Sequence, residues 1–404
     1  MQTNDTIDTN DTSVIDVILV QLGSPQNISY FEIRRYLKDF LSSDRVVKRD
    51  GIIKEILWMI ILYLFILTLR PFKLISAYKS LCTSTLFAGE MPLVKYFNLF
   101  IEELKKKTGK NSNCNSILIF HETYLFSNPD MRSVLEKIKK RRANLSVSLS
   151  LNSKLILIPH YPIYSGPTNA IVLDEFYKRS REINLQLDFE FHFIGSYHLA
   201  KCFIDQTCKM IDQFIEDKRT EGILFDYLIL SYHGMPLGKR GDKGDNSKRL
   251  DCCRYLEGVL ETYFLISNGI TSVKNKNILR YAFQSRFGGG KWTDPYLEDL
   301  IYELQGNNHK DQPLLPLKIA ISTPGFLVDC LETLHELGNI LKKKVAKRDI
   351  ELYLIPCLNF RSDWVNDFAE FLQFKSSGRG NDFYYVISPE MRASVEEEIK
   401  KIVN

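Results

Sequence analysis

Eight short apolar runs, each stopping at small or polar residues before a helical pattern, organise this chain. They are Val17 to Leu22, Ile117 to Phe120, Leu155 to Ile158, Phe189 to Ile194, Tyr227 to Leu230, Ile278 to Phe283, Ile319 to Ser322 and Leu352 to Ile355. Runs of four to six residues enriched in Ile, Leu, Val and Phe predict strands buried on both faces, the signature of a parallel sheet covered by helices. The fold class is therefore α/β. At 404 residues the chain exceeds the roughly 250 to 300 at which one core stops growing, so the runs divide into two lobes of four strands.

One segment breaks the rhythm. Ile56 to Leu69 is apolar on every side, uncharged, and flanked by Lys54 and Arg70. A bilayer-spanning helix needs about 20 such residues, so this stretch is too short to span and is either a buried core helix or a lip touching membrane or an apolar ligand. Trp58 and Tyr63 suit a headgroup boundary. The run Lys342, Lys343, Lys344, Lys347 and Arg348 reads as a solvated helix end that adds weak attraction to anionic lipid.

Composition removes several function classes. A net charge of +4 with no arginine-rich aromatic stripe excludes a nucleic-acid role. Met1 to Thr12 carry three Asp and no Lys or Arg, which is a polar tail and not a signal peptide. The eight cysteines show no C-x-x-C spacing and read as small reduced thiols, with a cysteine metal site unsupported.

Two places carry candidate chemistry. The run ending at Leu230 leads through Ser231 and Tyr232 to His233, Gly234, Met235 and Pro236, which presents an imidazole at the carboxyl end of a strand. Ligands of open α/β sheets bind there. After Ser322, Pro324-Gly325-Phe326 turns the chain into a predicted helix bearing Asp329, Glu332 and Glu336. At spacings i, i+3 and i+7 the three carboxylates share one helical stripe, and a divalent cation would relieve their repulsion. Carboxylates with an imidazole suit ferrous iron, manganese or zinc.

Several longer motifs run in order along the chain and resemble those of a single enzyme family. Val17 to Pro25 resembles the family's opening strand and L-G-[ST]-P turn, and Arg34 to Leu41 with Asp44 to Val47 the helix after it. Tyr161-Pro162-Ile163-Tyr164-Ser165 resembles Y-P-Q-[YF]-S, and Ser231 to Pro236 resembles S-x-H-G-x-P. Gln284 to Gly288 with Trp292 and Pro295-Tyr296 resembles Q-S-R-F-G…W…P-Y. Pro324 to Leu334 is close to P-G-F-x-x-D-C-L-E-T-L, and Ile355 to Asn359 to I-P-C-L-N.

These motifs are similar to those of the ferrochelatase family, which inserts ferrous iron into a porphyrin, and the resemblance implies two Rossmann-like lobes, the chelatase fold, with a porphyrin cleft between them and the last helix returning to the first lobe. The expected division is a tail at 1–13, a first lobe of 14–172 plus 380–404 with the apolar lip at 51–72, and a second lobe of 173–379. It also implies His233 and Glu332 as catalytic residues and Leu22, Tyr164, Trp292 and Phe326 as porphyrin contacts. The ion would be handled by His233, Glu332, Asp329 and Glu336. Imidazole suits either accepting a pyrrole proton or holding the metal. A cleft that buckles the ring would expose its lone pairs.

Departures from the family pattern matter too. Where many members have M-R-Y-G-N-P, this chain has Tyr124 to Pro129, so Leu125 and Phe126 replace an arginine and a tyrosine. The family's G-S-P-L loop is Gly89-Glu90-Met91-Pro92-Leu93, and the tyrosine of K-G-D-P-Y is lost after Lys243-Gly244-Asp245. No cysteine follows Cys357, so no iron-sulfur cluster is expected, nor any tightly bound cofactor. The expected reaction joins ferrous iron and protoporphyrin IX in a cytoplasmic protein, monomer or homodimer, with peripheral contact at the inner membrane. The alternatives are a coproporphyrin or cobalt chelatase of the same fold and a non-catalytic porphyrin- or haem-binding relative.

Overall fold

All eight apolar runs are strands, and they sort into two sheets of four. The structure, a computed structural model, describes residues 13–47, 49, 51–83, 87, 89–108, 116–144, 153–185, 189–237, 246–286, 289–308, 316–376 and 384–403. The first sheet has the order β2-β1-β3-β4, built from β1 (Ser13–Gln21), β2 (Ser116–Tyr124), β3 (Lys154–Pro159) and β4 (Glu190–Phe193). The second repeats that order as β6-β5-β7-β8, with β5 (Tyr227–His233), β6 (Leu279–Gln284), β7 (Leu317–Ser322) and β8 (Ile350–Leu354). Every pairing is parallel. Helical crossovers therefore cover both faces, and Val17, Ile18, Leu19 and Val20 of β1 are all fully buried.

The first lobe contributes α1 (Tyr30–Leu41), α2 (Ile52–Cys82), α3 (Pro92–Thr108), α4 (Met131–Ala143) and α5 (Ile171–Glu182). Ser29 starts α1, its hydroxyl accepting the Glu32 N–H at 3.3 Å. Between the sheets run α6 (Lys201–Thr220) and α7 (Asn246–Gly269), and then α8 (Leu297–Asn308) and α9, a π-type helix over Glu332–Leu341. The chain closes with α10 (Ser362–Ser376) and α11 (Pro389–Val403).

Three expectations need correction. Ser13 is strand, paired with Ser116, and not tail. The lobe boundary does not fall at 172/173, because β4 pairs with β3 and carries the first sheet on to Phe193. The last helix does not return to the first lobe: α11 packs on α7, and Tyr281 of β6 donates to its Glu398 at 2.8 Å. The element that does return is α10, whose Trp364 and Phe368 lie against Phe100 of α3.

The apolar segment is not a core helix. It belongs to a helix of 31 residues, Ile52–Cys82, long and apolar enough by length and composition to cross a membrane. One side, with Leu62, Leu67, Tyr78 and Cys82, packs against α1. The other leaves Ile53, Leu57, Leu64, Phe65, Leu69 and Phe72 exposed. Residues 1–12, Cys114, Lys243 to Asp245 and Phe287 to Gly288 lie outside the described residues.

Candidate active site

The strand β5 runs two residues beyond the apolar core and ends on His233, which is exposed while Leu228 to Tyr232 are buried. Its ring is oriented by its own turn, with Nδ1 lying 2.8 Å from the Gly234 carbonyl oxygen. A carbonyl only accepts, so Nδ1 carries the proton, and in the neutral ring the Nε2 lone pair is left available. The His233 carbonyl accepts from the Tyr255 hydroxyl of α7 at 2.7 Å.

Opposite His233 in register stands Gln284. Ser231 donates to its side-chain oxygen at 2.7 Å, and its carbonyl accepts the Gly234 N–H at 2.7 Å. Gly234 is required there, because a Cβ would sit 2.9 Å from the Gln284 oxygen and 3.5 Å from the Trp292 ring. Trp292 lies beside the histidine turn, its backbone bridged to Pro236.

The three acids do not form one row. Asp329 precedes the helix and is buried, with both oxygens committed. One accepts from Thr333 at 3.0 Å, and the other from the Asn359 amide at 2.8 Å and the Cys357 N–H at 3.3 Å. Its expected place among the metal ligands is corrected: it fastens the β7 and β8 rim loops together. Glu332 and Glu336 remain half-buried near the start of α9, where the wider π turn brings residues four apart onto one side.

Ser285 connects these acids to the histidine. It follows Gln284, adopts a left-handed φ of +65°, and donates to Glu336 Oε2 at 3.4 Å. A left-handed serine at the end of a strand is held strain of the kind that collects at functional sites. Burial, and then the charge of Glu332, push the Glu336 carboxyl up to about 7, with Arg70 of α2 and the Ser285 hydroxyl opposing. Among the described residues no group of three or more His, Cys, Asp or Glu is set to hold a metal ion, so the rim offers an acid pair and an imidazole and not a closed cage.

The first lobe supplies the facing wall. Leu22 leaves β1 at a turn where Gly23 has φ +93° and where a Cβ would strike Ser127 Oγ at 2.1 Å. The Gly23 carbonyl accepts from the Tyr36 hydroxyl at 3.0 Å. Burial first, and Glu332 second, raise the Tyr36 hydroxyl far above its ordinary range. Tyr161 is raised by burial with Tyr36, Cys330 and Glu332 adding to it. Leu331, just before α9, packs against the cluster that holds Ile33 and Leu37 of α1, which sets α1 beside the second-lobe acids. Tyr164 and Phe326 lie half-buried in the loops after β3 and β7.

The two departures do different things. Phe126 joins Tyr36 and Phe40 edge-on, at 6.5 and 5.4 Å, beside the Leu22 turn, and its N–H bonds the Leu22 carbonyl at 3.1 Å. Leu125 packs on the other side with Ile18, Val20 and Met131. Motif reading flagged neither Tyr36 nor Tyr255, whose signal is only that a hydroxyl in a buried stripe must find a partner.

Paired parallel sheets, with an imidazole at the end of β5 and an acid pair on the helix after the neighbouring β7, define a two-lobed α/β enzyme built to handle a cation and protons. The ferrochelatase family profile matches residues 15–375, and the chain belongs to the ferrochelatase family, whose members insert iron into porphyrin. The ferrochelatase of Francisella tularensis subsp. holarctica strain OSU18 is 32% identical over 353 residues, 87% of this chain and 92% of that protein. That of subsp. novicida strain U112 is 30% identical over the same share. Among solved structures, SirB from Bacillus subtilis with Fe3+ aligns with a TM-score of 0.43 at 11% identity, over 93% of this chain and all of SirB. DR2241 from Deinococcus radiodurans, described as similar to chelatases, also gives 0.43, at 8% identity over 96% of this chain and 60% of its own.

Proposed function

We propose that this enzyme inserts ferrous iron into protoporphyrin IX, using His233 as proton acceptor and Glu332 with Glu336 as the pair that receives the incoming ion. The observation that carries this reading is the Ser285 link, which joins the strand end facing His233 to the acid pair. Four pyrrole nitrogens bind the iron as two N–H protons leave. The Nε2 lone pair of His233 is free to take one pyrrole proton, because Nδ1 is committed to a carbonyl, and the acid pair, left anionic when it hands the ion on, takes the second. A carboxyl near pKa 7 beside a second carboxylate trades its proton for a divalent cation at little cost. Leu22, Tyr164, Trp292 and Phe326 would hold the flat ring, and an aromatic, apolar pocket suits it.

The substrate choice rests on what lies at the mouth. An exposed apolar helix, and Phe126 in place of a hydroxyl beside the Leu22 turn, favour the porphyrin with fewer carboxylates over coproporphyrin. The same helix supports peripheral contact with a bilayer. Trp58 on its buried side donates to the Leu41 carbonyl at 3.2 Å and fixes it to α1. No resident cofactor is invoked. Anaerobic incubation with ferrous iron and either porphyrin tests the reading. Haem from protoporphyrin, lost in His233→Ala and Glu332→Ala, is expected. Faster turnover of coproporphyrin, or porphyrin binding without insertion, would overturn it.

A further inference from the structure

Away from the histidine and the acid pair, one hydrogen-bonded chain crosses between the lobes. It starts in the loop that carries Tyr161 and Tyr164, where the Ser196 hydroxyl donates to the Pro162 carbonyl at 3.0 Å. Ser196 Oγ also lies 2.7 Å from His198 Nδ1, and His198 Nε2 lies 2.8 Å from Glu261 Oε2 on α7. The pair is shielded, with side chains 16% and 9% exposed. The loop holding Ser196 and His198 is itself pinned to the first lobe. Ile194 bonds Leu157, Tyr197 bonds Pro162, and Asn169 bonds both Tyr161 and Gly195 through backbone carbonyls.

On the far side, α7 also carries Tyr255, whose hydroxyl holds the His233 carbonyl. Contact with the first lobe is close as well. A Cβ on Gly258, one turn before Glu261, would come within 3.0 Å of Ile163 and 3.6 Å of the His198 ring. A glycine and a buried ionisable pair at one helix crossing are costly choices for packing alone. Together they fix how near α7, and the second lobe with it, stands to the wall that receives the ring.

We propose that Ser196, His198 and Glu261 form a strut between the lobes that sets the width of the porphyrin cleft, acting as positioning residues for substrate capture. This rests on the reading of the cleft as a porphyrin site. His233, Ser285, Glu332 and Glu336 all ride on the second lobe, so loss of the strut changes their distance to the first-lobe wall and not to one another. Its mark is therefore on porphyrin affinity and KM, with kcat spared.

The test compares Glu261→Ala, Glu261→Gln and Gly258→Ala with the unaltered enzyme. Porphyrin Kd is read by fluorescence quenching and metal insertion by steady-state kinetics, with Tm recorded. Glu261→Ala is expected to raise Kd and KM about three- to tenfold, the worth of one buried hydrogen bond, with kcat within about twofold. Glu261→Gln, which still presents an oxygen to Nε2–H, restores most of the affinity. Gly258→Ala, which keeps the pair but pushes α7 outward, raises Kd in the same direction. Kd and KM unchanged in the alanine variants, whatever Tm does, would overturn the strut, as would a fall in kcat at constant KM. Failure of the unaltered enzyme to insert metal would count against the chelatase reading alone, since the binding titration still decides the strut.

Discussion

Glu336 behaves in two ways across the physiological pH range. Burial and the neighbouring Glu332 lift its carboxyl from the ordinary 4.5 to about 7. Between those values the folded protein holds a proton that the unfolded chain has lost, so this group withdraws stability as pH rises through the interval. Glu336→Gln is therefore expected to raise Tm by a few degrees at about pH 8 and by much less at pH 5, relative to the unaltered protein. Equal shifts at the two pH values in scanning calorimetry would show that the buried proton is not there. Metal insertion should fall about tenfold in the same variant, as expected for removing one group from a proton or cation relay. The exposure of His233 was legible in the sequence because it ends a buried strand, and the pairing of Glu332 with Glu336 because residues four apart share one side of a helix. Asp329 was misread for an equally local reason. An α-helical spacing was assumed from Phe326 onward, whereas the helix opens later with a wider turn, and the partner that absorbs the carboxylate, Asn359, is 30 positions away.

Strands were the easiest elements to read, since a run buried on both faces admits few other folds. Helix α2 was harder. Its 14 uncharged residues set a composition but not a length, and Pro71 inside the helix did not end it. Which side would be covered depended on α1, through Trp58 and through Leu67, whose carbonyl accepts from both Tyr30 and Arg34. The uncovered side gives a direct prediction for bilayer contact. The double substitution Leu57→Glu and Leu64→Glu changes side chains that are 55% and 62% exposed. It should leave Tm within about a degree, and cut co-sedimentation with anionic vesicles about tenfold or more, given the burial energy of two leucines. Undiminished vesicle binding would remove α2 as the contact.

For the whole molecule, the joint between lobes is an aromatic one. Trp364 of α10 is fully buried and stacks on Phe100 at 6.0 Å, with Phe368 completing the cluster. Trp364→Ala should cost about 3–5 kcal/mol, the usual penalty for emptying so large a volume. Both lobes should then melt earlier in one transition, since the cluster belongs to both. Two separated transitions in calorimetry, with only one displaced, would contradict a shared core. The number of lobes and their strand content could be read from length and pattern, but the boundary could not. β4 has only four residues and is half-buried, so nothing local says which sheet it joins, and the destination of α11 depends on Tyr281 meeting Glu398 across 117 positions. The placement of the reactive groups has an engineering corollary. Imidazole, bridging serine and both acids hang from the second sheet, and none of them comes from the first lobe. On the reading proposed above, Leu22 and Tyr164 would meet the tetrapyrrole from a lobe that carries no reactive group, so grafting the Leu22, Tyr36 and Phe126 face of a relative with another preference for ring substituents should shift substrate choice while leaving proton and cation traffic intact.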